Sequence, residues 1–176
     1  MIIERSDLSI ALEATSGDTG FPHDNWQHRF VEPSKYILPA LVGVTVTTSS
    51  GRKYSALLGG HGGGTGTQKT NHIVEDNRLI ICCSDKVFCL ELPTLKFIWS
   101  TQADEATCFQ IFRYKESYVI HGEMNITKLR LDGSIEWQKS GRDIFVNLDG
   151  KTEFKIEGNT AIAVDFEGYE YRFDLD

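Results

Sequence analysis

The sequence predicts an all-β chain built from antiparallel four-strand meander units of about 40 residues, and three observations carry that prediction. Apolar residues alternate with period two over much of the chain. Three segments superpose on one another at nearly constant spacing. No pattern of period 3.6 persists for more than about two helical turns.

The first stretch sets Leu8, Ile10, Leu12 and Ala14 at alternate positions, which reads as a strand. Residues 16–39 then hold Gly17, Gly20, Pro22, Pro33 and Pro39 beside Phe21, Trp26, Phe30 and Tyr36. Proline and glycine punctuate the chain there, and the aromatics imply an irregular loop pinned against the body of the fold. Val42, Val44 and Val46 alternate with Gly43, Thr45 and Thr47 before a turn at Ser49, Ser50 and Gly51, so residues 41–58 read as a hairpin. Six of the nine residues from Gly59 to Thr67 are glycine. That composition reads as a connector without packing of its own.

The internal repeat begins after this loop. Asn77 to Ile81, Ser117 to His121 and Asn159 to Ala163 align at offsets of 40 and 42 residues, each opening a strand. A polar turn follows each, and then a second strand in which Leu90, Leu129 and Phe173 match, as do Leu92, Leu131 and Leu175. The first two units continue through a further turn into a third strand ending on Trp99 and Trp137, 38 residues apart. One more strand precedes each unit, at His72 to Glu75, Thr107 to Tyr114 and Thr152 to Glu157. Four short antiparallel strands per repeat is the anatomy of a propeller blade.

The runs RLIICCSDKVFCLELPTLKFIW and YVIHGEMNITKLRLDGSIEW resemble the repeat of quinoprotein-type (PQQ-like) β-propeller proteins, in which an apolar strand, a turn, a second strand ending in a Leu pair and a turn before a Trp recur. The resemblance covers residues 71–176 and consists of structural positions, so it implies a fold and carries no quinone site. The chain departs from that pattern in lacking some of the turn glycines and in having few units. A small or incomplete propeller, or a curved open sheet with edges covered by residues 1–40 or by a second chain, is expected. The 176 residues are read as a single all-β domain: residues 1–40, a hairpin and glycine-rich loop at 41–70, and three blade-like repeats at 71–176.

Lys and Arg total 18 against 25 Asp and Glu, a net charge of −7 that repels a phosphate backbone, so no nucleic-acid partner is expected. The charged N-terminus is unlike a signal peptide, and no apolar run is long enough to span a bilayer; a cytoplasmic protein without a membrane partner is expected. Cys82, Cys83, Cys89 and Cys108 fall inside apolar strands, where they read as reduced core residues. Because Cys82 and Cys83 point to opposite faces of a strand, they do not grip one metal ion.

The candidates for chemistry are few. Gly60, His61, Gly62, Gly63, Gly64 and Thr65 could turn backbone N–H groups toward an anion, although the loop lacks the Lys and the following helix of a phosphate loop. His23 and His28, five apart around Asp24, have no fixed geometry for a metal. His72 and His121 read as satisfied polar residues, and acids such as Asp132, Asp143, Asp149 and Asp165 read as turn formers. Trp26, with Asp104 and Glu105, is a candidate for contact with a partner, while Trp99 and Trp137 read as core anchors. No catalytic, metal or cofactor motif stands out. The reading favoured is a non-catalytic, acidic interaction module, for example an immunity-type protein neutralising a basic toxin. The alternative is a small-molecule-binding protein or hydrolase with its site at Gly59 to Thr67, and self-association through open sheet edges is a further expectation.

Overall fold

The computed structural model describes residues 1–15, 25–146 and 154–176, and every regular element among them is a strand. The first sheet joins β1 (Ile2–Glu4), β2 (Leu8–Thr15), β3 (His28–Val31), β4 (Leu41–Thr48) and β5 (Lys53–Gly59) in the order β1-β2-β4-β5-β3. The second runs β6 (His72–Glu75), β7 (Arg78–Cys83), β8 (Lys86–Glu91), β9 (Phe97–Gln102). The third repeats that order with β10 (Cys108–Tyr114), β11 (Ser117–Gly122), β12 (Asn125–Arg130), β13 (Ile135–Ser140). The fourth stops at three strands, β14 (Phe154–Glu157), β15 (Thr160–Val164) and β16 (Glu170–Asp174).

The repeat strands lie where the alternation places them. Two elements differ from the sequence reading: β1 pairs antiparallel with β2 ahead of the first strand expected, and β3 forms inside the stretch read as irregular. It pairs in parallel with β5, from His28 opposite Ala56 to Val31 opposite Gly59. A parallel pairing between strands so far apart in the chain supplies backbone bonds that no local pattern announces. His23 and Asp24 lie outside the described residues.

Apolar faces meet in sequence along the stack. Ile10, Val44 and Leu58 of the first sheet pack on Leu79, Ile81 and Leu90 of the second. Ile80, Cys82 and Cys89, on the second sheet's other face, pack on Ile111, Tyr118 and Leu129 of the third. Val119 and Ile126 of the third pack on Phe154, Ala161 and Phe173 of the fourth. Period-two alternation thus serves two interfaces at once, because both faces of a middle sheet are covered. Each fully buried Leu or Ile contributes about 1.5–3 kcal/mol. Among the described residues no apolar cluster joins the first sheet to the fourth, and the sheets do not close into a barrel.

The two repeat-related tryptophans do the same work. Trp99 on β9 reaches across to Tyr118 of the third sheet, 6.3 Å between ring centres, and Trp137 on β13 reaches Phe173 of the fourth at 6.2 Å. A Cβ at Gly133 would stand 2.4 Å from the Trp99 ring, and its φ of +85° also favours glycine. The fourth sheet, of three strands, carries no tryptophan of this kind among its described residues.

His121 ties the third sheet to the fourth. Its Nε2 lies 3.0 Å from the Phe145 carbonyl oxygen and its ring stacks on Phe154 at 5.1 Å, with the residue 1% exposed. Burial pushes its pKa down to about 4, so the folded protein holds it neutral where an unfolded chain would protonate it. The unfolded state therefore binds the extra proton, and stability is lost as pH falls from about 6.5 to about 4. Urea titrations at pH 7 and pH 4.5 are expected to show His121→Gln losing about 2–3 kcal/mol less than the wild type over that interval. Equal losses in both proteins would show that His121 does not drive the acid sensitivity.

Candidate functional site

The chain crosses from sheet to sheet at one end of the stack, and there each crossing is bonded to the central hairpin turn of a neighbouring sheet. In the first crossing the amides of His61 and Gly62 donate to Asp85 Oδ1 at 3.0 and 3.3 Å, and Gly63 donates to the Ala106 carbonyl at 3.0 Å. The Ser84 amide donates to Thr65 Oγ1 at 2.9 Å. Space explains three of these glycines: a Cβ would stand 2.1 Å from Asp85 Oδ1 at Gly60, 1.8 Å from the Ala106 oxygen at Gly62 and 2.5 Å from Thr107 Oγ1 at Gly63. The connector expected to lack packing is therefore packed. The anion that the His61 and Gly62 amides hold is the protein's own Asp85 carboxylate.

The second crossing uses the same device in reverse. Asp104 is 1% exposed, and its carboxylate accepts from the amides of Ala106 (2.7 Å), Thr107 (3.0 Å), Met124 (3.0 Å) and Asn125 (2.8 Å). Burial pushes its pKa up, and the four N–H groups oppose that shift. In the fourth sheet's turn the Tyr169 amide (2.9 Å) and the Tyr171 hydroxyl (2.7 Å) donate to Asp165, holding it below the usual carboxylate range. Backbone bonds link crossings and turns in a continuous series: Asp104 N to Asp85 O, Glu123 N to Thr107 O, Phe145 N to Glu123 O and Phe166 N to Ile144 O, each 2.7–3.2 Å.

This rigid end presents Met124, Phe166 and Tyr169, which are 36, 51 and 49% exposed. Glu105 and Glu167 stand exposed near them and Glu123 is half-buried. The Arg142 guanidinium lies 4.3 Å over the Tyr169 ring and 3.7 Å from Glu167. Among the sequence candidates, Glu105 is on this end. Asp104 is beneath it, and burial removes it from any partner's reach. Trp26 lies apart, half-buried against Leu38, Leu41 and Leu57 on the face of the first sheet turned away from the second. The sequence reading missed Met124, Phe166 and Tyr169; large apolar side chains in or beside hairpin turns, where polar residues are the rule, were the available signal.

His61 points away from the loop's bonds, with Nε2 3.3 Å from Glu32, whose other oxygen pairs with Lys86. Glu32 and Lys86 edge a groove of about 460 Å³ between β3 and β9, walled by Phe30, Phe88 and Phe97. His61 does not line it. The four cysteines are buried free thiols, with burial pushing Cys83 up to about 12 and Cys89 up to about 11, far from a reactive thiolate. Among the described residues no three His, Cys, Asp or Glu converge as a metal cage, and no helix is long and apolar enough to cross a membrane.

No protein-family model matches the chain, and no curated protein matches it. Solved structures do. The computationally designed Ika4 protein superposes with a TM-score of 0.53 at 12% identity, over 87% of this chain and 95% of Ika4. BamB from Moraxella catarrhalis, a β-propeller, superposes with a TM-score of 0.53 at 13% identity, over 99% of this chain and 57% of BamB. The chain thus spans a little over half of BamB's length. At such identities the likeness is one of fold: the four sheets are propeller-like sheets in an unclosed series.

The packing of the first crossing gives a paired test. Gly62→Ala is expected to destabilise by about 1–3 kcal/mol, because a backbone oxygen must move. Gly64→Ala, whose Cβ would meet only Ala40 at 3.8 Å, is expected to stay within about 0.5 kcal/mol of wild type. Chemical denaturation of both variants checks the contrast, and equal stability would mean that the connector is loosely held.

Proposed function

We propose that this protein is a non-catalytic interaction module that binds a basic protein through the end of the stack where crossings and hairpin turns meet. The observation that carries this reading is the exposure of Met124, Phe166 and Tyr169 beside Glu105, Glu123 and Glu167, on backbone held fixed by Asp85, Asp104 and Asp165. Apolar anchors ringed by charge are the usual make-up of a protein-binding patch. A net charge of −7 favours a cationic partner and speeds its encounter. Neutralisation of a basic toxin inside the cell, as by an immunity protein, is the specific form of this reading. A small-molecule site on the glycine loop gains no support, since the His61, Gly62 and Gly63 amides are already engaged.

The test compares retention of a cationic protein from native lysate at low ionic strength by three immobilised proteins. Wild type and Glu116→Lys, which changes charge at the opposite end, are expected to retain it equally. The triple variant Glu105→Lys, Glu123→Lys, Phe166→Ala is expected to lose at least about tenfold in affinity, a change of about 1.4 kcal/mol. Binding is also expected to weaken as salt rises. Equal retention by all three, or none by wild type, would sink the proposal.

A further inference from the structure

The first and second sheets part at the rim formed by β3 and β9, and the groove left between them is walled by residues of both. Phe88 faces the first sheet within the core they share, and Lys86, two residues earlier on β8, lies on the same face. Ser100 stands opposite Phe88 on β9, so its side chain shares that face too. The other wall comes from Phe30 on β3 and from Glu32, one residue past its end.

Two contacts cross from wall to wall. Phe30 meets Phe97 at 5.4 Å between ring centres, and the Lys86 ammonium donates to Glu32. Phe30 and Glu32 are two residues apart, about 7 Å along an extended chain, so the crossings bound a short slot. Its floor is Phe88, 3% exposed. The Phe30 wall is fixed in turn: the His28 ring stacks on it at 5.8 Å and His28 Nε2 lies 3.2 Å from the Thr94 carbonyl oxygen. A preformed aromatic slot of about 460 Å³ is within the size range of small-molecule sites, and one this short takes a fused ring rather than a run of extended peptide.

The polar end of the slot states the charge of the occupant. The Lys86 side chain is 16% exposed, and its ammonium carries three donors, yet among the described residues only Glu32 accepts from it. An ammonium so far removed from water calls for further oxygen acceptors. Glu32 cannot supply them, because its other oxygen lies 3.3 Å from His61 Nε2. Ser100 adds a hydroxyl at the lip. Arg29 also borders the slot but is already engaged, and no charge is counted from it.

We propose that this slot binds a small aromatic anion, its ring against Phe30, Phe88 and Phe97 and its carboxylate or sulfonate oxygens on Lys86 Nζ and the Ser100 hydroxyl. The site is separate from Met124, Phe166 and Tyr169 and stands whether or not that end binds a protein.

Fluorescence titration of the native chain with two dyes tests the assignment: anilinonaphthalene sulfonate, and phenylnaphthylamine, which has the same rings without the sulfonate. Wild type is expected to bind the sulfonate saturably, one dye per chain. Lys86→Gln is expected to lose at least about tenfold in affinity for the sulfonate and less than about threefold for the neutral dye. Ser100→Trp, at an exposed position that leaves the fold intact, is expected to fill the slot and abolish binding of both. Phe166→Ala, at the other apolar patch, is expected to change neither. No saturable binding by folded wild type, equal losses of both dyes in Lys86→Gln, undiminished binding by Ser100→Trp, or loss in Phe166→Ala would each overturn the proposal.

Discussion

A sheet has two faces, and a sheet in a series has two neighbours only if it is not at an end. That constraint organises this protein. The middle sheets bury both faces, so their central strands read as unbroken apolar runs: Leu79 to Cys83 is fully buried, as is Tyr118 to Ile120. The end sheets bury one face each and vary the other. Polar pairs such as Lys155 with Glu157 cover the outer side of β14, and the segment around Leu38 covers that of β4 and β5.

The crossings face a second problem, that of chain turning sharply between packed sheets without stranding its amides. Buried carboxylates answer it. Asp85, in a turn, gathers the amides of His61 and Gly62 from the first crossing, and Asp104, in the second crossing, gathers those of Ala106 and Thr107 beside it and of Met124 and Asn125 in a turn, so one side chain fixes a crossing to a turn. An isolated buried charge would be costly, but a carboxylate ringed by amides is compensated where it sits. The closest approach of backbone to backbone then demands glycine, as at Gly62 against the Ala106 oxygen. The glycine-rich loop and the buried acids are two halves of one joint.

How much of this the sequence held depends on the range of the cause. Period-two alternation is local, so β7, β11 and β15, with the tryptophans of β9 and β13, were legible from residue types alone. The parallel strand β3 was not, because its partner β5 is named by tertiary structure and its own four residues carry too short a pattern. The glycine loop was visible as an oddity but its reason was not, since Asp85 and Ala106 lie more than twenty residues downstream. Asp104 looked like the exposed acids around it; only burial separates it from Glu105. Residues 16–24 and 147–153 are outside the described residues.

The division between sheets and joints also separates side chains committed to the fold from those left exposed. Interior positions are committed to packing, and Asp85, Asp104 and Asp165 to holding backbone; none is free to meet a partner. What remains variable is the side chain that a turn residue turns outward, such as Met124 or Phe166. Because the neighbouring amides of Met124 and Asn125 are bound to Asp104 and that of Phe166 to Ile144, these side chains project from ordered backbone, and a partner that buries them has less chain entropy to overcome. The same hydrogen bonds that hold sheet to sheet thus also fix the shape of this exposed end.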